Sequence, residues 1–213
     1  MKKTLVSAAL SAALMACAGG AMAASMSPEL KVKGEMAVPS CQVALGNGGV
    51  FDLGKISNSL IKPTTSTELA KTSGTLAVTC EAETFLNFTV TDNREGTASV
   101  NNGEHFGLGN VNGTGKLGYY KVAVMAASVN GLTSPVFSVS KGGSSFSATT
   151  SAAVDKNKVT GWAKSANVQN SGKTFAAVLM VTPVLASSKD MGGSIADNVK
   201  LDGSATLNFA YGL

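Results

Sequence analysis

The chain is short of the residues from which most metal and catalytic sites are built. Its 213 residues include one histidine, His105, and three cysteines, and charged residues make up only 14% of the sequence. One histidine cannot form a histidine cluster, and no Cys-x-x-Cys pair is present that could bind zinc instead. We therefore expect no metal and no cofactor.

Signatures of catalysis are also missing. There is no Gly-x-Ser-x-Gly elbow, and His105 has no nucleophile at a recognisable spacing. Residues 113–117, GTGKL, share letters with a phosphate-binding loop, but Asn110 stands where that loop has its first glycine, and no Ser or Thr follows the lysine. The acidic residues form no recognisable acid and base pair. The sequence therefore predicts a protein that is not an enzyme.

Charge and hydropathy exclude two further features. The formal net charge is only +4, and the lysines and arginines form no basic stripe with interleaved aromatics, so we expect no nucleic-acid partner. Beyond residue 18 no apolar run approaches membrane-spanning length, which predicts no transmembrane segment in the mature chain.

Residues 1–23 have the features of a secretory signal peptide. Lys2 and Lys3 precede a short apolar run, and Ala21-Met22-Ala23 offers small residues at a cleavage site. We expect cleavage after Ala23 and export of the mature chain. An alternative is the segment Leu14-Met15-Ala16-Cys17, which is similar to a bacterial lipoprotein box in which Cys17 would be acylated.

Two cysteines, Cys41 and Cys80, remain once the signal peptide is removed. In an oxidising compartment with no third thiol to compete, a disulfide between them is the simplest outcome. Closing a loop of this length stabilises the fold by roughly 4 kcal/mol in the chain-entropy model. The alternative is that the two cysteines bind a metal ion, but the sequence offers no further ligands for such a site.

The remaining sequence predicts an all-β protein. Glycine, serine, threonine, asparagine and valine are abundant, and no segment makes a convincing helix. We expect Asn130-Gly131 to form a tight turn, Trp162 to be buried, and Pro183 to mark a bulge or the exit of an edge strand. The predicted strands are 30–45 with an interruption near Pro39, 74–81 and 85–90 joined by a tight connection, 119–129, 136–139, 175–185 and 205–213.

Two of these segments are amphipathic in a way that favours assembly. Residues 30–36 place Leu30, Val32, Gly34 and Met36 on one face, with Lys31, Lys33 and Glu35 on the other. The C-terminal segment alternates in the same way, with Leu207, Phe209, Tyr211 and Leu213 on its apolar face. Because an extended segment can complete another chain's open sheet edge, we expect the first segment to be donated and the second to leave an edge uncovered.

Four segments carry a family resemblance. They are Leu30-Lys-Val-Lys-Gly34-Glu-Met36, Pro39-Ser-Cys41-Gln-Val43, Phe51-Asp-Leu-Gly54 and Leu76-Ala-Val-Thr-Cys80. Together they resemble chaperone-usher fimbrial (pilin) subunits, and also the fimbrial-like periplasmic group that includes the glutamate-operon F protein. The long apolar strand from Phe175 and the alternation at the C-terminus continue the likeness.

The resemblance implies an incomplete, pilin-type immunoglobulin-like β-sandwich at residues 38–213, preceded by an N-terminal extension or donor strand at 24–37. In such proteins the extension fills a groove in the next subunit, a role that would fall to Leu30, Val32, Gly34 and Met36. Leu207, Phe209, Tyr211 and Leu213 would pair with a periplasmic chaperone and later with a sibling subunit. The protein would act without catalysis, in the periplasm and then in a fimbrium or at the cell surface of a Gram-negative bacterium.

Other interpretations stay open at this point. Residues 30–36 could be the first strand of the domain's own sheet, with Gly34 at a bulge, and the C-terminal segment could be an ordinary closing strand. A different class of function is a monomeric, adhesin-like binding module in the periplasm or at the surface. Its loops at 92–118 and 141–161 would then contact a glycan or another surface receptor.

Overall fold

The computed structural model describes residues 29–36, 38–195 and 197–212. The predicted signal peptide, Cys17 and Leu213 lie outside the described residues. Residues 1–37 and 38–213 are separate units of the chain. In the first unit, residues 29–36 form no strand, and the side chains of Leu30, Val32 and Met36 are exposed.

The described part of the second unit consists of strands joined by turns. Two short 3-10 segments, Gly46–Gly49 and Asn58–Leu60, are its helical elements. The strands are β1 (Cys41–Leu45), β2 (Thr67–Glu68), β3 (Thr72–Asp92), β4 (Phe106–Gly107), β5 (Asn110–Val111), β6 (Gly115–Lys116), β7 (Gly118–Val129), β8 (Leu132–Thr133), β9 (Val136–Ser140), β10 (Ser151–Ala153), β11 (Lys158–Ser165), β12 (Val168–Gln169), β13 (Ser171–Leu185) and β14 (Ala205–Tyr211). No helix in this described part is long and apolar enough to cross a membrane.

Strand β3 organises the sheet. Its first half pairs with β1 and β13, and its second half pairs with β11 and β14. The expected break between two strands at residues 82–84 is wrong, because β3 continues through them for 21 residues in total. These residues include no glycine, proline or asparagine to make a turn, and Thr84 pairs with Gly172 of β13.

The strands form a curled antiparallel sheet. One half follows the order β10-β7-β13-β3-β1, and the other half follows β14-β3-β11-β9. Because β3 belongs to both halves, its bend turns them toward a shared core. This arrangement confirms the all-β class predicted from the sequence, with the sheet wrapped into an incomplete sandwich.

Even-numbered residues of β3 supply the centre of the core. Buried side chains recur at every second position through both halves of the strand, namely Leu76, Val78, Cys80, Leu86, Phe88 and Val90. Trp162 packs against this cluster and is 1% exposed, as expected. Its ring lies 5.2 Å from that of Phe175, and its Nε1 donates to the Ala176 carbonyl at 3.1 Å. The hydrogen bond satisfies the one polar atom of a side chain that is otherwise apolar.

The predicted disulfide is present. Cys41 and Cys80 lie directly opposite each other in the pairing of β1 with β3, with their Cα atoms 4.0 Å apart, and their sulfurs are bonded. The bond therefore fixes β1 to the middle of β3.

Two turn-residue predictions had different outcomes. Asn130 and Gly131 have φ values of 50° and 77°, which confirms a tight turn between β7 and β8. The prediction for Pro183 is wrong, because β13 continues through it to Leu185 and its irregularities lie near residues 173 and 177. The Pro183 carbonyl accepts from the N–H of Leu69, the residue after the two-residue strand β2. The N–H and carbonyl of one strand residue point to the same side, so the N–H that proline lacks would also face β2. The hydrogen bonds between β13 and β7 are therefore unaffected.

Candidate assembly site

Strand β14 presents the predicted C-terminal side chains to the core side of the sheet. In its pairing with β3, Leu207 lies opposite Val90, Phe209 opposite Phe88, and Tyr211 opposite Leu86. Residues directly opposite in an antiparallel pair share a face of the sheet. The apolar face predicted for this strand is therefore its inward face.

The inward face of β14 is only partly covered. Leu86 and Phe88 on β3 are each 1% exposed, whereas Tyr211 is 45% exposed and Phe209 is half-buried. The rings of Phe88 and Phe209 lie 5.4 Å apart, so the two strands do pack against each other. In the described residues, however, β14 pairs with no strand other than β3, so its second edge is free.

Strand β1 shows the same arrangement. Val43 lies opposite Val78 and shares its inward face, yet Val43 is 45% exposed and Val78 only 1%. Leu45 is half-buried although its partner Leu76 is fully buried. Within the described chain, β1 also pairs with β3 alone. Sequence reasoning named no residue of this strand for assembly, although the alternation Cys41-x-Val43-x-Leu45 carries the signal.

The two strands lie on the same side of β3. The Glu81 N–H donates to the Ser40 carbonyl just before β1, and the Phe85 carbonyl accepts from the Gly212 N–H just after β14, both at 3.0 Å. Strand β13 pairs with β3 at residues 72–79 and again at 84–85, so it occupies the other side of β3 from both β1 and β14. β1 and β14 therefore succeed each other along one side of β3, and we call their two free edges together the open edge.

Polar contacts anchor β14 at both of its ends. At the start, Arg94 forms a 2.5 Å ion pair with Asp202, and the Asn93 amide donates to the Ser204 hydroxyl at 2.9 Å. At the end, the side-chain amide of Asn87 donates to the Gly212 carbonyl. These contacts hold the strand against β3, so its exposed inward face is a feature of an ordered strand and not of a loose terminus.

The charged and aromatic groups elsewhere form structural contacts. His105 stacks on Tyr119 with ring centroids 3.8 Å apart. Asp92 is buried and accepts from the Gly107 N–H at 2.9 Å, which fastens the following loop. Burial, assisted by the negative charge of Asp92, raises the pKa of Tyr120 above the ordinary tyrosine range. Among residues 29–36, 38–195 and 197–212, no group of three His, Cys, Asp or Glu side chains is arranged to hold a metal.

The N-terminal site residues belong to the other unit of the chain. Leu30, Val32, Gly34 and Met36 belong to the separate unit that carries no strand in its described residues. Their role as a donor strand stays a prediction. The structure thus brings Leu207, Phe209 and Tyr211 together, and it adds Val43.

Comparison with known proteins finds similarity over part of the chain. Residues 30–114 match a family described as proteins of unknown function, DUF1120. Protein GltF of Escherichia coli (strain K12) is 39% identical over 101 residues, which cover 45% of this chain and 40% of GltF. The chain therefore spans less than half the length of this curated relative. The GltF match supports in part the predicted resemblance to the group that includes the glutamate-operon F protein. The family match ends at residue 114, well before β14.

Proposed function

We propose that the protein is a non-catalytic structural subunit of an exported fimbrial or fimbrial-like assembly, completed by a strand from another molecule. The observation that carries the proposal is the open edge. Val43 and Tyr211 face the core and are each 45% exposed, although the β3 residues opposite them are 1% exposed. A strand added beside β14 would cover Tyr211 and satisfy the free backbone groups of that strand, and a longer extended segment would be needed to reach Val43 as well.

The occupant that we propose for the open edge is residues 30–36 of a second copy. This segment has seven residues, and β14 also has seven. Seven extended residues span roughly 23 Å, so the segment could run beside the whole of β14. Leu30, Val32 and Met36 would face the core, Gly34 would lie at the tightest position, and the charged residues between them would face water.

Three further observations support this function. The apolar side chains of Leu30, Val32 and Met36 are between 90% and 103% exposed, which is unfavourable unless another surface covers them. The disulfide is typical of proteins exported to an oxidising compartment. The similarity to GltF fits the fimbrial-like group named above. A periplasmic chaperone would cover the open edge before a sibling subunit does, as in the family that the sequence resembles.

The proposal is tested by placing an aspartate on either face of the donor segment. In the full-length exported chain, Val32→Asp should abolish higher-order assemblies, because it would bury a carboxylate without a partner in an apolar groove. Lys33→Asp introduces the same side chain on the opposite face and should assemble like the wild type. Assemblies are measured by size-exclusion chromatography of periplasmic and surface fractions.

Two results would count against the proposal. Val32→Asp could assemble normally, or both variants could fail to the same degree, which would indicate a charge effect without a buried face. A wild-type chain that is monomeric in every fraction would favour the adhesin-like binding module instead.

A further inference from the structure

A polar cleft is lined by residues outside β1 and β14. It has a volume of about 560 Å³, within the range of small-molecule sites. Strand β9 contributes Ser138 to it, β10 contributes Ala152, and the loops that precede β10 and β12 supply the rest of its lining. We call it the hydroxyl cleft after the polar residues that line it, which are Ser138, Ser145, Ser147, Thr149 and Asn167.

One residue that lines the hydroxyl cleft has a buried polar atom without a hydrogen-bond partner. The Oγ of Ser138 is buried and has no hydrogen-bond partner in the described structure. Gln169 Oε1 is the other such atom among the described side chains, and Gln169 lines a neighbouring cleft of about 430 Å³. The two clefts share Asn167. A buried polar atom without a partner destabilises a fold, so finding both in residues that line adjoining clefts points to a ligand that satisfies them.

The wall between the clefts is held rigidly in place. The Asn167 backbone N–H donates to the Phe146 carbonyl at 3.0 Å, and its side-chain oxygen accepts from the Phe146 N–H at 2.6 Å. The Phe146 ring stacks on Phe137 with centroids 4.1 Å apart. A preformed wall reduces the ordering that a ligand would otherwise have to impose.

The lining selects the chemistry of the ligand. No charged residue lines the hydroxyl cleft, so an ion would find no counter-charge there. An apolar molecule would leave the hydroxyl groups of the cleft without hydrogen-bond partners. The neighbouring cleft adds the Phe85 ring, 46% exposed, against which the C–H face of a sugar ring can pack, and one cation, Lys164. We propose that the two clefts bind a neutral oligosaccharide. This proposal requires the enclosed Ser138 Oγ to turn toward the ligand by rotation about χ1.

Titration of the full-length exported protein tests this inference without reference to assembly. The probes are lactose, maltotriose and N,N′-diacetylchitobiose, followed by isothermal titration calorimetry. At least one should bind saturably, and Ser138→Ala should weaken that binding about tenfold, the loss of about 1.4 kcal/mol expected for one hydrogen bond. Ser140→Ala, an exposed serine on the same strand and outside the cleft lining, should bind like the wild type.

Thermal unfolding separates a binding role from a structural one. Removing an unsatisfied hydroxyl should leave the melting temperature of Ser138→Ala equal to or above that of the wild type. Saturable binding that Ser138→Ala weakens and Ser140→Ala does not, at unchanged stability, supports the inference. Absence of saturable binding by all three sugars, or an equal affinity in both variants, overturns it.

Discussion

Strands β13 and β14 both place apolar residues at alternate inward positions but differ in how well those residues are covered. In β13, which pairs with β3 on one side and β7 on the other, Phe175 is 1% exposed and Leu179 is 4% exposed. In β14, which pairs with β3 alone in the described chain, Tyr211 is 45% exposed on the same core side. Alternation thus determines which face turns inward, while the number of neighbouring strands determines how far that face is buried.

The difference explains why the assembly proposal rests on β14 and not on the more apolar β13. An apolar strand covered on both edges has nothing left to bind, whereas a strand covered on one edge retains both free backbone groups and exposed core side chains. β1 belongs with β14 in this comparison, although its disulfide gives it a covalent attachment that β14 lacks.

The largest effect is expected from removing that covalent attachment. Cys41→Ser combined with Cys80→Ser should lower the free energy of unfolding by roughly 4 kcal/mol, because the bond closes a loop between residues 39 positions apart. Urea unfolding of the variant and of the reduced wild type measures this, and the two should agree. A loss below about 1 kcal/mol would show that strand pairing alone holds β1, which would remove the distinction between β1 and β14.

A pair of phenylalanine truncations tests the comparison between β13 and β14 directly. Phe175→Ala should destabilise the protein by about 4 kcal/mol, since a fully buried aromatic side chain leaves a cavity. Phe209 is half-buried on β14, so Phe209→Ala should lower the free energy of unfolding by about 2 kcal/mol less than Phe175→Ala does. Urea unfolding at one pH measures both. Equal losses would mean that the β14 edge is as well covered as β13, contrary to the open edge described above.

Local sequence pattern was sufficient to predict much of the fold. The inward positions Leu76, Val78 and Cys80, the Asn130-Gly131 turn and the burial of Trp162 all follow from spacing or residue type. The continuity of β3 could not be predicted in this way, because the Glu and Ala residues at 81–84 favour strands only weakly. Pairing with β13 outweighs this low propensity. Strand partners distant in sequence decide such cases.

The candidate site was predicted in part for the same reason. The inward face of β14 could be predicted because the alternation of Leu207, Phe209 and Tyr211 lies within one segment of the sequence. The open edge also includes Val43, whose place on the same side of β3 as β14 depends on the path of β3 between residues 78 and 86. The hydroxyl cleft combines residues from β9, β10 and two loops, and no single stretch of sequence contains that pattern.

The smallest expected effect concerns Tyr120, which lies in the well-covered region beside Asp92. Its pKa is raised in the folded state, mainly by burial and secondarily by the Asp92 charge. The folded protein therefore holds the phenolic proton more tightly than the unfolded chain, whose tyrosine pKa is about 10. The protonated phenol therefore contributes stability that is fully present below about pH 10 and is lost as the pH rises further. The loss reaches about 1.4 kcal/mol of unfolding free energy at about pH 11. Tyr120→Phe should remove that part of the alkaline loss, which urea unfolding at about pH 8 and 11 measures. Parallel losses in variant and wild type would show that the phenol already ionises freely, and that water reaches this part of the core as it reaches the open edge.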